Sequence, residues 1–315
     1  MPAALIAVVG ATATGKSDLA IDLALRLDGE VVNVDSMQLY RGMDIGTAKL
    51  APDERRGVPH HLLDVWDVTE TASVAEYQRA ASKVIDDIQA RGRVAVLAGG
   101  SGLYVRAALG DLDFPGTDDQ VRARLEAELA AAGTDPLYAR LAAADPVAAA
   151  AILPSNGRRI VRALEVIEIS GRPFSATMPA YEHAAAHGRP SIQVGIRMPR
   201  PELDHRIERR VDRMFEAGLA DEVRGLARDR GLRAGKTASR ALGYQQVLRY
   251  LDGDCTLEAA RDETVRATRR FARRQESWFR RDPRVAWLDA GDDLPARALD
   301  LLLWRTVIIF SLIVD

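Results

Sequence analysis

Short apolar runs alternate with helical patterns over about the first hundred residues of the chain. The runs Leu5–Val9, Val31–Val34 and Val94–Leu97 have the length and composition of buried strands. Leucines recur every fourth residue over Leu19–Leu27, and a second helical pattern covers Ala75–Ile88. Strands that alternate with helices favour a parallel sheet with helices on both faces. The pattern therefore predicts an α/β fold.

The pattern becomes mostly helical after the third predicted strand. Alanine-rich helical stretches follow Phe114, Tyr181–Pro190 is predicted as a loop, and strand-like alternation returns at Ile192–Met198. Beyond Pro201 the chain is mostly helical, with one more short strand predicted at Val285–Leu288. We therefore predict a core domain from residues 1–114 and 191–294, a helical insertion domain over residues 115–190, and a tail of unknown role over residues 295–315.

The end of the sequence carries an uncharged, apolar run, Thr306–Val314. A membrane span needs about 20 apolar residues, so this run is too short to cross a bilayer and no membrane association is predicted. We interpret the run as a terminal strand packed on the core. A tail that binds a partner is the alternative.

Composition indicates an ordinary globular protein. Of 315 residues, 47% are hydrophobic and 28% are charged, and the net charge is -2. The single cysteine, Cys255, excludes an intrachain disulfide and a cysteine-based zinc site, which fits a reducing cytoplasm. The apolar N-terminal run has no basic flank, so it is interpreted as a strand and not as a signal peptide.

A phosphate-binding motif follows the first predicted strand and precedes the first predicted helix. It matches G-x-x-x-x-G-K-[ST] and consists of Gly10, Ala11, Thr12, Ala13, Thr14, Gly15, Lys16 and Ser17. In such a P-loop, backbone N–H groups surround phosphate oxygens, the lysine adds a positive charge and the serine hydroxyl holds Mg²⁺. A chance glycine-rich turn is the alternative. The motif predicts a diphosphate or polyphosphate ligand without specifying which.

An acidic residue, Asp35, ends the second predicted strand, at the sheet edge where the P-loop lies. In a common P-loop NTPase, an acid in such a place supports Mg²⁺. The alternative role is a general base that takes a proton from an attacking amine. The polar, glycine-rich run Leu39–Lys49 that follows is interpreted as a substrate-binding loop.

Six segments in this order resemble the tRNA dimethylallyltransferase family, over roughly residues 5–290. They are Gly10–Ser17, Asp35–Lys49, Pro59–Asp64, Gly99–Tyr104, Arg158–Glu165 and Ser239–Tyr244. Ala11 departs from the family pattern, in which a proline is usual. A P-loop tolerates this difference, because only backbone groups bind there.

The resemblance implies an enzyme that uses Mg²⁺ and dimethylallyl diphosphate, whose diphosphate the P-loop grips. The dimethylallyl group would pass to N6 of the adenosine 3′-adjacent to the tRNA anticodon. By the same resemblance, Asp35 is the base, Thr14 and Ser17 serve the diphosphate and the metal, and Arg206 neutralises the leaving diphosphate. For Arg206, a solvated helix face is the alternative, since Arg209 and Arg210 lie within one turn.

The resemblance also implies that the target base is drawn out of the anticodon loop into a channel through the protein. Extrusion costs least for an unpaired base. The partner is then the tRNA anticodon stem–loop, bound by a monomer. The implied RNA contacts are Asp35, Ser36, Met37, Gln38, Ser101, Arg159, Arg162, Arg240, Gly243, Tyr244 and Gln245.

A basic segment, Arg261–Arg284, supports an RNA partner. It contains nine arginines and four acidic residues, a local net charge of +5. Phe271, Trp278 and Phe279 interleave with the arginines, as in surfaces that bind single-stranded RNA. Helical spacing favours a core position for these aromatics, whereas the arginines are expected to face RNA.

Two rival functions remain open on the sequence. A nucleotide-type kinase would use the P-loop with ATP and would need an arginine-bearing lid, for which Arg158, Arg159 and Arg162 are available. A non-catalytic RNA-binding module with a relic P-loop is the other.

Overall fold

The computed structural model describes residues 5–112, 116–177 and 188–311, with side chains as far as Trp304. The chain divides into a core unit, Met1–Leu109 with Arg189–Asp315, and an insertion unit, Gly110–Gly188. The sequence predicted an insertion over residues 115–190, so the observed division begins several residues earlier. Most of the predicted loop Tyr181–Pro190 lies outside the described residues.

The core unit is built on a parallel sheet of six strands in the order β3-β2-β4-β1-β5-β6. This arrangement confirms the predicted α/β class. The strand at His60–His61 is the one that the hydrophobic pattern did not predict. In chain order the strands are β1 Leu5–Gly10, β2 Gly29–Asn33, β3 His60–His61, β4 Val94–Ala98, β5 Ile192–Arg197 and β6 Val285–Asp289.

The described residues contain twelve α-helices. The first seven are α1 Lys16–Arg26, α2 Val74–Ala90, α3 Gly102–Ala108, α4 Asp119–Ala132, α5 Thr134–Ala144, α6 Pro146–Ala151 and α7 Gly157–Ser170. The last five are α8 Arg200–Glu216, α9 Leu219–Asp229, α10 Tyr244–Leu251, α11 Leu257–Phe279 and α12 Leu294–Ser311. Hydropathy rules out each of these described helices as a membrane span.

The main core lies between the sheet and helices α1 and α12. Every residue of β1 is buried, as expected of a central parallel strand, and Leu19 and Leu23 of α1 pack against it. The burial of such apolar side chains stabilises the fold by about 25 cal/mol for each Å² removed from water.

The predicted terminal strand is wrong, because the structure places residues 294–311 in helix α12. Leu294, Ala298 and Leu302 recur every fourth residue and are buried in the main core, whereas Leu303 and Trp304 are exposed. A short apolar run alone does not distinguish a strand from a helix. Here the helical spacing of Leu294, Ala298 and Leu302, which starts before Thr306, favours a helix over a strand. Residues 312–314 of the predicted strand lie outside the described residues.

The insertion unit has a core of its own, formed by α4, α5, α6 and α7. Its one fully buried carboxylate among the described residues, Glu165, accepts hydrogen bonds from Arg122 at 2.8 Å and Arg162 at 2.9 Å. A buried charge is costly unless it is paired, so these arginines stabilise the unit.

The chain leaves and re-enters the core unit at neighbouring residues. The backbone N–H of Arg189 donates to the carbonyl of Leu109 at 2.7 Å. The core unit is therefore continuous around the junction from which the insertion departs.

Candidate active site

The P-loop adopts its conformation because two glycines occupy positions that other residues disfavour. Gly10 ends β1 with φ 138°, and a Cβ there would lie 2.9 Å from the carbonyl oxygen of Ile196. Gly15 has φ 91° and caps the N-terminus of α1. The first backbone N–H groups of a helix have no partner within the helix and, with the helix dipole, attract an anion.

Lys16 is held inside this loop. Its ammonium donates to the carbonyl oxygen of Ala11 at 2.5 Å, and the Thr14 hydroxyl donates to the same oxygen at 2.9 Å. Burial and, to a smaller extent, the charge of Arg210 lower the pKa of Lys16 to about 7, while Asp35 acts in the opposite direction. A diphosphate would supply the negative charge that favours the protonated lysine.

A buried amide, Gln275 of α11, joins the P-loop to the turn after β4. Its Oε1 accepts from the backbone N–H of Thr12 at 2.9 Å, and its Nε2 donates to the carbonyl of Gly100 at 2.9 Å. Apart from its helical spacing with Phe271 and Trp278, nothing in the sequence indicated a function for this glutamine. The signal that identifies it is a polar side chain on an otherwise apolar face, which needs a buried partner.

Asp35 follows β2 in a local turn of hydrogen bonds. Its backbone N–H donates to Asn33 Oδ1, and its own Oδ1 accepts from the backbone N–H of Met37, each at 2.9 Å. Burial lowers the pKa of the Arg210 guanidinium, and the Asp35 carboxylate opposes that effect. The carboxylate therefore lies within electrostatic reach of both Lys16 and Arg210.

Thr12 of the P-loop, Asp35 and Arg210 line one cavity of about 330 Å³, whereas Lys16 and Gln275 lie outside its lining. Its polar wall includes residues from the P-loop, the end of β2 and helices α8 and α11, and its apolar wall comes from α8, α11 and the segment before α10. The polar residues include Thr12, Asp35, Ser36, Thr47, Ser101, Arg210, Arg240 and Arg274. The apolar residues include Met37, Ile207, Val211, Met214, Ala241, Leu242 and Phe271.

Several residues expected to contact RNA meet at this cavity. Asp35, Ser36, Met37, Ser101 and Arg240 all line it. The hydroxyls of Ser36 and Ser101 lie 3.3 Å apart. Two segments that are distant in sequence are thus brought together where β2 and β4 end.

Two other expected RNA contacts lie beside the cavity. Gln38 Nε2 donates to the carbonyl of Thr47 at 3.1 Å, in the cavity wall. Gln245 is exposed and lines a neighbouring groove together with Arg270 and Arg274.

Arg206 does not take the position that its expected role requires. It is paired with Glu202 at 3.0 Å, and the cavity is lined instead by Arg210, one turn further along α8. Helical spacing places both arginines on similar faces, so the sequence alone does not distinguish them.

Tyr244 and Gly243 are not available to RNA. Tyr244 is fully buried and its hydroxyl donates to Glu222 at 2.5 Å. Gly243 is buried at the start of α10 with φ 87°, and its N–H donates to Gln246 at 2.9 Å. The family resemblance implied RNA contacts at both positions, whereas tertiary packing buries both residues.

The insertion unit carries the two remaining expected contacts on α7. Arg159 is exposed, and Arg162 bonds to the buried Glu165. Arg162 therefore has a structural partner within its own unit.

The arginines of the basic segment divide into two groups. Six form ion pairs with acidic side chains, although the side chains of Arg266, Arg270 and Arg280 are at least half exposed. That the nine arginines face RNA stays a prediction. These six are Arg261, Arg266, Arg269, Arg270, Arg280 and Arg284. Acids of α8, outside the counted segment, neutralise Arg261 and Arg269.

Arg274 keeps the predicted character of an exposed arginine beside an aromatic ring. It lies 5.8 Å from the ring centre of Phe271 and lines the cavity. Phe279 is buried, as helical spacing favoured, and Trp278 is 37% exposed.

The donor groups around the P-loop fit a magnesium ion held mainly by a ligand. The described residues contain no cluster of three or more histidine, cysteine or acidic side chains able to hold a metal. Ser17 offers an exposed hydroxyl oxygen in the first turn of α1. Mg²⁺ prefers oxygen ligands and commonly takes most of them from phosphates and water, so one hydroxyl suffices from the protein.

Comparison with known proteins gives a consistent result. The family model for IPP transferase matches residues 38–282. The tRNA dimethylallyltransferase of Thermobifida fusca is 68% identical over 95% of this chain and 94% of its own length. That of Streptomyces coelicolor is 66% identical over 95% of each chain.

Solved structures agree with these matches. The tRNA isopentenylpyrophosphate transferase of Bacillus halodurans is 41% identical, with a TM-score of 0.73 over 99% of both chains. A eukaryotic dimethylallyltransferase acting on tRNA is 26% identical, with a TM-score of 0.81 over 97% of this chain and 79% of its own.

Proposed function

We propose that this chain, a member of the IPP transferase family whose relatives are tRNA dimethylallyltransferases, prenylates N6 of the adenosine 3′-adjacent to the anticodon. The donor is dimethylallyl diphosphate, and the products are N6-isopentenyladenosine and diphosphate. One observation carries the proposal: a single cavity joins the P-loop, the Asp35 carboxylate and an apolar wall.

The P-loop holds the diphosphate of the donor. Backbone N–H groups at the start of α1, the Lys16 ammonium and the Arg210 guanidinium supply positive charge where the leaving group develops negative charge. Mg²⁺, bound through Ser17, would neutralise part of the same charge. The bond between the allylic carbon and the diphosphate oxygen breaks as the carbon–nitrogen bond forms.

Asp35 receives the proton that the amine loses. The adenine N6 amine is a poor nucleophile, because its lone pair is delocalised into the ring. A carboxylate within hydrogen-bond reach lets deprotonation accompany bond formation, which contributes typically 10²–10⁴-fold. Asp35 and the P-loop residue Thr12 both line the cavity, which supports this role for Asp35.

The apolar wall suits the five-carbon chain of the donor. Ile207, Val211 and Met214 of α8, with Leu242 and Phe271, exclude water from the reacting carbon. Exclusion of water prevents hydrolysis of a reactive allylic centre.

The RNA partner is a single-stranded loop of tRNA. Ser36, Ser101 and Arg240 offer polar groups to an extruded base and its backbone. We place the enzyme in the cytoplasm as a monomer that binds the anticodon stem–loop.

A kinase would need an arginine-bearing lid over the γ-phosphate of ATP. One of the candidate arginines already binds an acidic side chain. Arg162 bonds to Glu165 inside the insertion unit. This contact engages one of the three candidate lid arginines, while Arg158 and Arg159 are exposed.

One assay distinguishes the two reactions. The protein is incubated with Mg²⁺, an anticodon stem–loop RNA and either radiolabelled dimethylallyl diphosphate or γ-labelled ATP. We expect label from the prenyl donor in RNA, and loss of transfer on chelation of the metal. Label from ATP without prenyl transfer would refute the proposal.

Asp35→Ala tests the proposed base. We expect turnover to fall by about 10²–10⁴-fold while the RNA is still bound, because only proton transfer is lost. Single-turnover transfer and RNA binding are measured in parallel. Normal turnover in this variant would show that Asp35 is not the base.

A further inference from the structure

The loop between β2 and β3 forms part of the cavity wall and is held at one end by a buried lysine. Gly46 and Thr47 line the cavity. Lys49 has a side chain only 3% exposed and donates to the carbonyl of Tyr40 at 3.0 Å and to Asp44 and Asp64 at 2.6 Å each. This lysine ties Tyr40 and Asp44 of the loop to Asp64, which follows β3.

The middle of the loop is held by one carboxylate from α9, Glu222. Its Oε2 accepts from the backbone N–H groups of Asp44 at 3.1 Å and Ile45 at 2.7 Å. Its Oε1 accepts from the N–H of Gly46 at 3.3 Å and from the hydroxyl of Tyr244 at 2.5 Å. Four donors thus converge on two oxygens, and a carboxylate can accept all of them.

Tyr244 supports the same loop from the opposite side. Its ring packs so closely on Gly46 that a Cβ at that position would overlap the ring. The hydroxyl of a fully buried tyrosine needs a partner, which Glu222 provides. Glu222, Tyr244 and residues 44–46 therefore form one arrangement, which we name the loop clamp.

The loop clamp is connected to groups in the cavity through one carbonyl. The carbonyl oxygen of Thr47, next to the clamped segment, accepts from Gln38 Nε2 at 3.1 Å and from Arg210 Nη2 at 3.5 Å. The Gln38 contact is the shorter one. A shift of residues 44–46 would move the adjacent Thr47 carbonyl and so disturb Gln38.

We propose that Glu222 is a positioning residue for the RNA side of the site, acting through the loop clamp and the Thr47 carbonyl on Gln38. This inference rests on the proposed function, in which Gln38 meets the extruded base. Glu222 does not line the cavity, so its effect is on the placement of the wall and not on the reacting atoms.

Glu222→Gln is the test variant, with Asp221→Asn as its matched control. The glutamine has the same shape but offers one oxygen acceptor and turns an NH₂ group toward loop donors. Asp221 is the adjacent acid of α9; its side chain is 80% exposed and pairs with Arg224. Both changes remove one negative charge from the same helix turn, so their difference reports the loop contacts.

We expect Glu222→Gln to raise the KM for anticodon stem–loop RNA by about tenfold, while the KM for dimethylallyl diphosphate changes less than about twofold. Asp221→Asn should change neither constant by more than about twofold. Amide exchange of residues 44–46, measured by hydrogen–deuterium exchange, should accelerate in Glu222→Gln alone. Equal constants and equal exchange in both variants would overturn the proposal.

A second variant approaches the clamp from the loop. Gly46→Ala introduces the methyl group that overlaps Tyr244, so it should produce the same selective rise in the KM for RNA even if Glu222→Gln folds poorly. A parallel rise in both KM values in Gly46→Ala would also overturn the proposal. If the wild-type protein transfers no prenyl group, the proposed function fails, whereas faster exchange in Glu222→Gln would still show that the clamp exists.

Discussion

Three charged side chains determine the chemistry of the cavity at the scale of single residues. Arg210 makes the charged form of Lys16 less favourable, and Asp35 favours the charged forms of both. The site is thus prepared for a strongly anionic ligand. Charges that repel in the free protein become favourable once a diphosphate lies between them.

Binding of dimethylallyl diphosphate should therefore depend on pH through Lys16. Its pKa in the free protein is lowered to about 7, and the diphosphate should raise it, so binding takes up a proton above pH of about 7. We expect the dissociation constant to increase as pH rises from about 7 toward 9. Calorimetry in buffers of different ionisation enthalpy measures the proton uptake.

Lys16→Arg is the control for this titration, because a guanidinium stays charged over the same pH range. The variant should bind without proton uptake. Uptake that persists unchanged in Lys16→Arg would assign the titration to another group.

The choice between the two arginines of α8 gives a second prediction at this scale. Arg210→Gln should lower turnover by on the order of 10²-fold, because a donor aimed at the developing charge is lost. Arg206→Gln, which breaks only an exposed pair with Glu202, should change turnover less than about twofold. Steady-state kinetics of the two purified variants provides the comparison. A larger loss in Arg206→Gln would restore the role that the resemblance assigned to it.

At the scale of elements, helix α11 performs two tasks on different faces. One face is buried and reaches the P-loop through Gln275, and another carries the exposed Arg273 and Arg274. A helix that touches both the phosphate loop and the RNA side couples the placement of the two substrates. Its ion pairs to α8 fix the helix that supplies Arg210.

Gln275→Leu should loosen the connection between α11 and the P-loop. The change leaves the Thr12 N–H and the Gly100 carbonyl without their partner, which destabilises the protein by about 1–3 kcal/mol. We expect a higher KM for dimethylallyl diphosphate together with a lower melting temperature. Thermal melts and kinetics are compared with Ser277→Ala, an exposed change on the same helix. An unchanged KM would show that the Gln275 amide does not affect the binding of dimethylallyl diphosphate.

At the scale of the whole molecule, the lining of the cavity comes from the core unit, residues 1–109 and 189–315. The elements that build this unit were largely predictable, since apolar runs and helical spacing reflect local sequence. The P-loop and the acid after β2 were also predictable, because a short motif between a strand and a helix determines its own geometry.

What escaped prediction depends on contacts between distant segments. Nothing in the sequence near Glu222 indicates that its carboxylate accepts hydrogen bonds from residues 44–46. Those residues lie 176 to 178 positions earlier in the chain. The burial of Tyr244 and the choice of Arg210 are likewise set by tertiary packing. The helix at the C-terminus was missed because an apolar run fits both periodicities.

Replacement of the insertion unit tests whether the core unit is sufficient for donor binding. Joining Leu109 to Arg189 through a short glycine-rich linker should preserve the fold, because these residues are already hydrogen-bonded neighbours. We expect dimethylallyl diphosphate to bind within about threefold of the full chain. Calorimetry of the shortened protein measures this. Loss of donor binding in a shortened chain that melts cooperatively would show that the insertion contributes to the site.

The hydrogen bond between Arg189 and Leu109 also has an evolutionary consequence. Where the two backbone segments of a junction are already in contact, an insertion of almost any length can be accommodated without distorting the core unit. Descendants of one ancestral catalyst can therefore exchange or enlarge this appendage while inheriting the reaction chemistry intact.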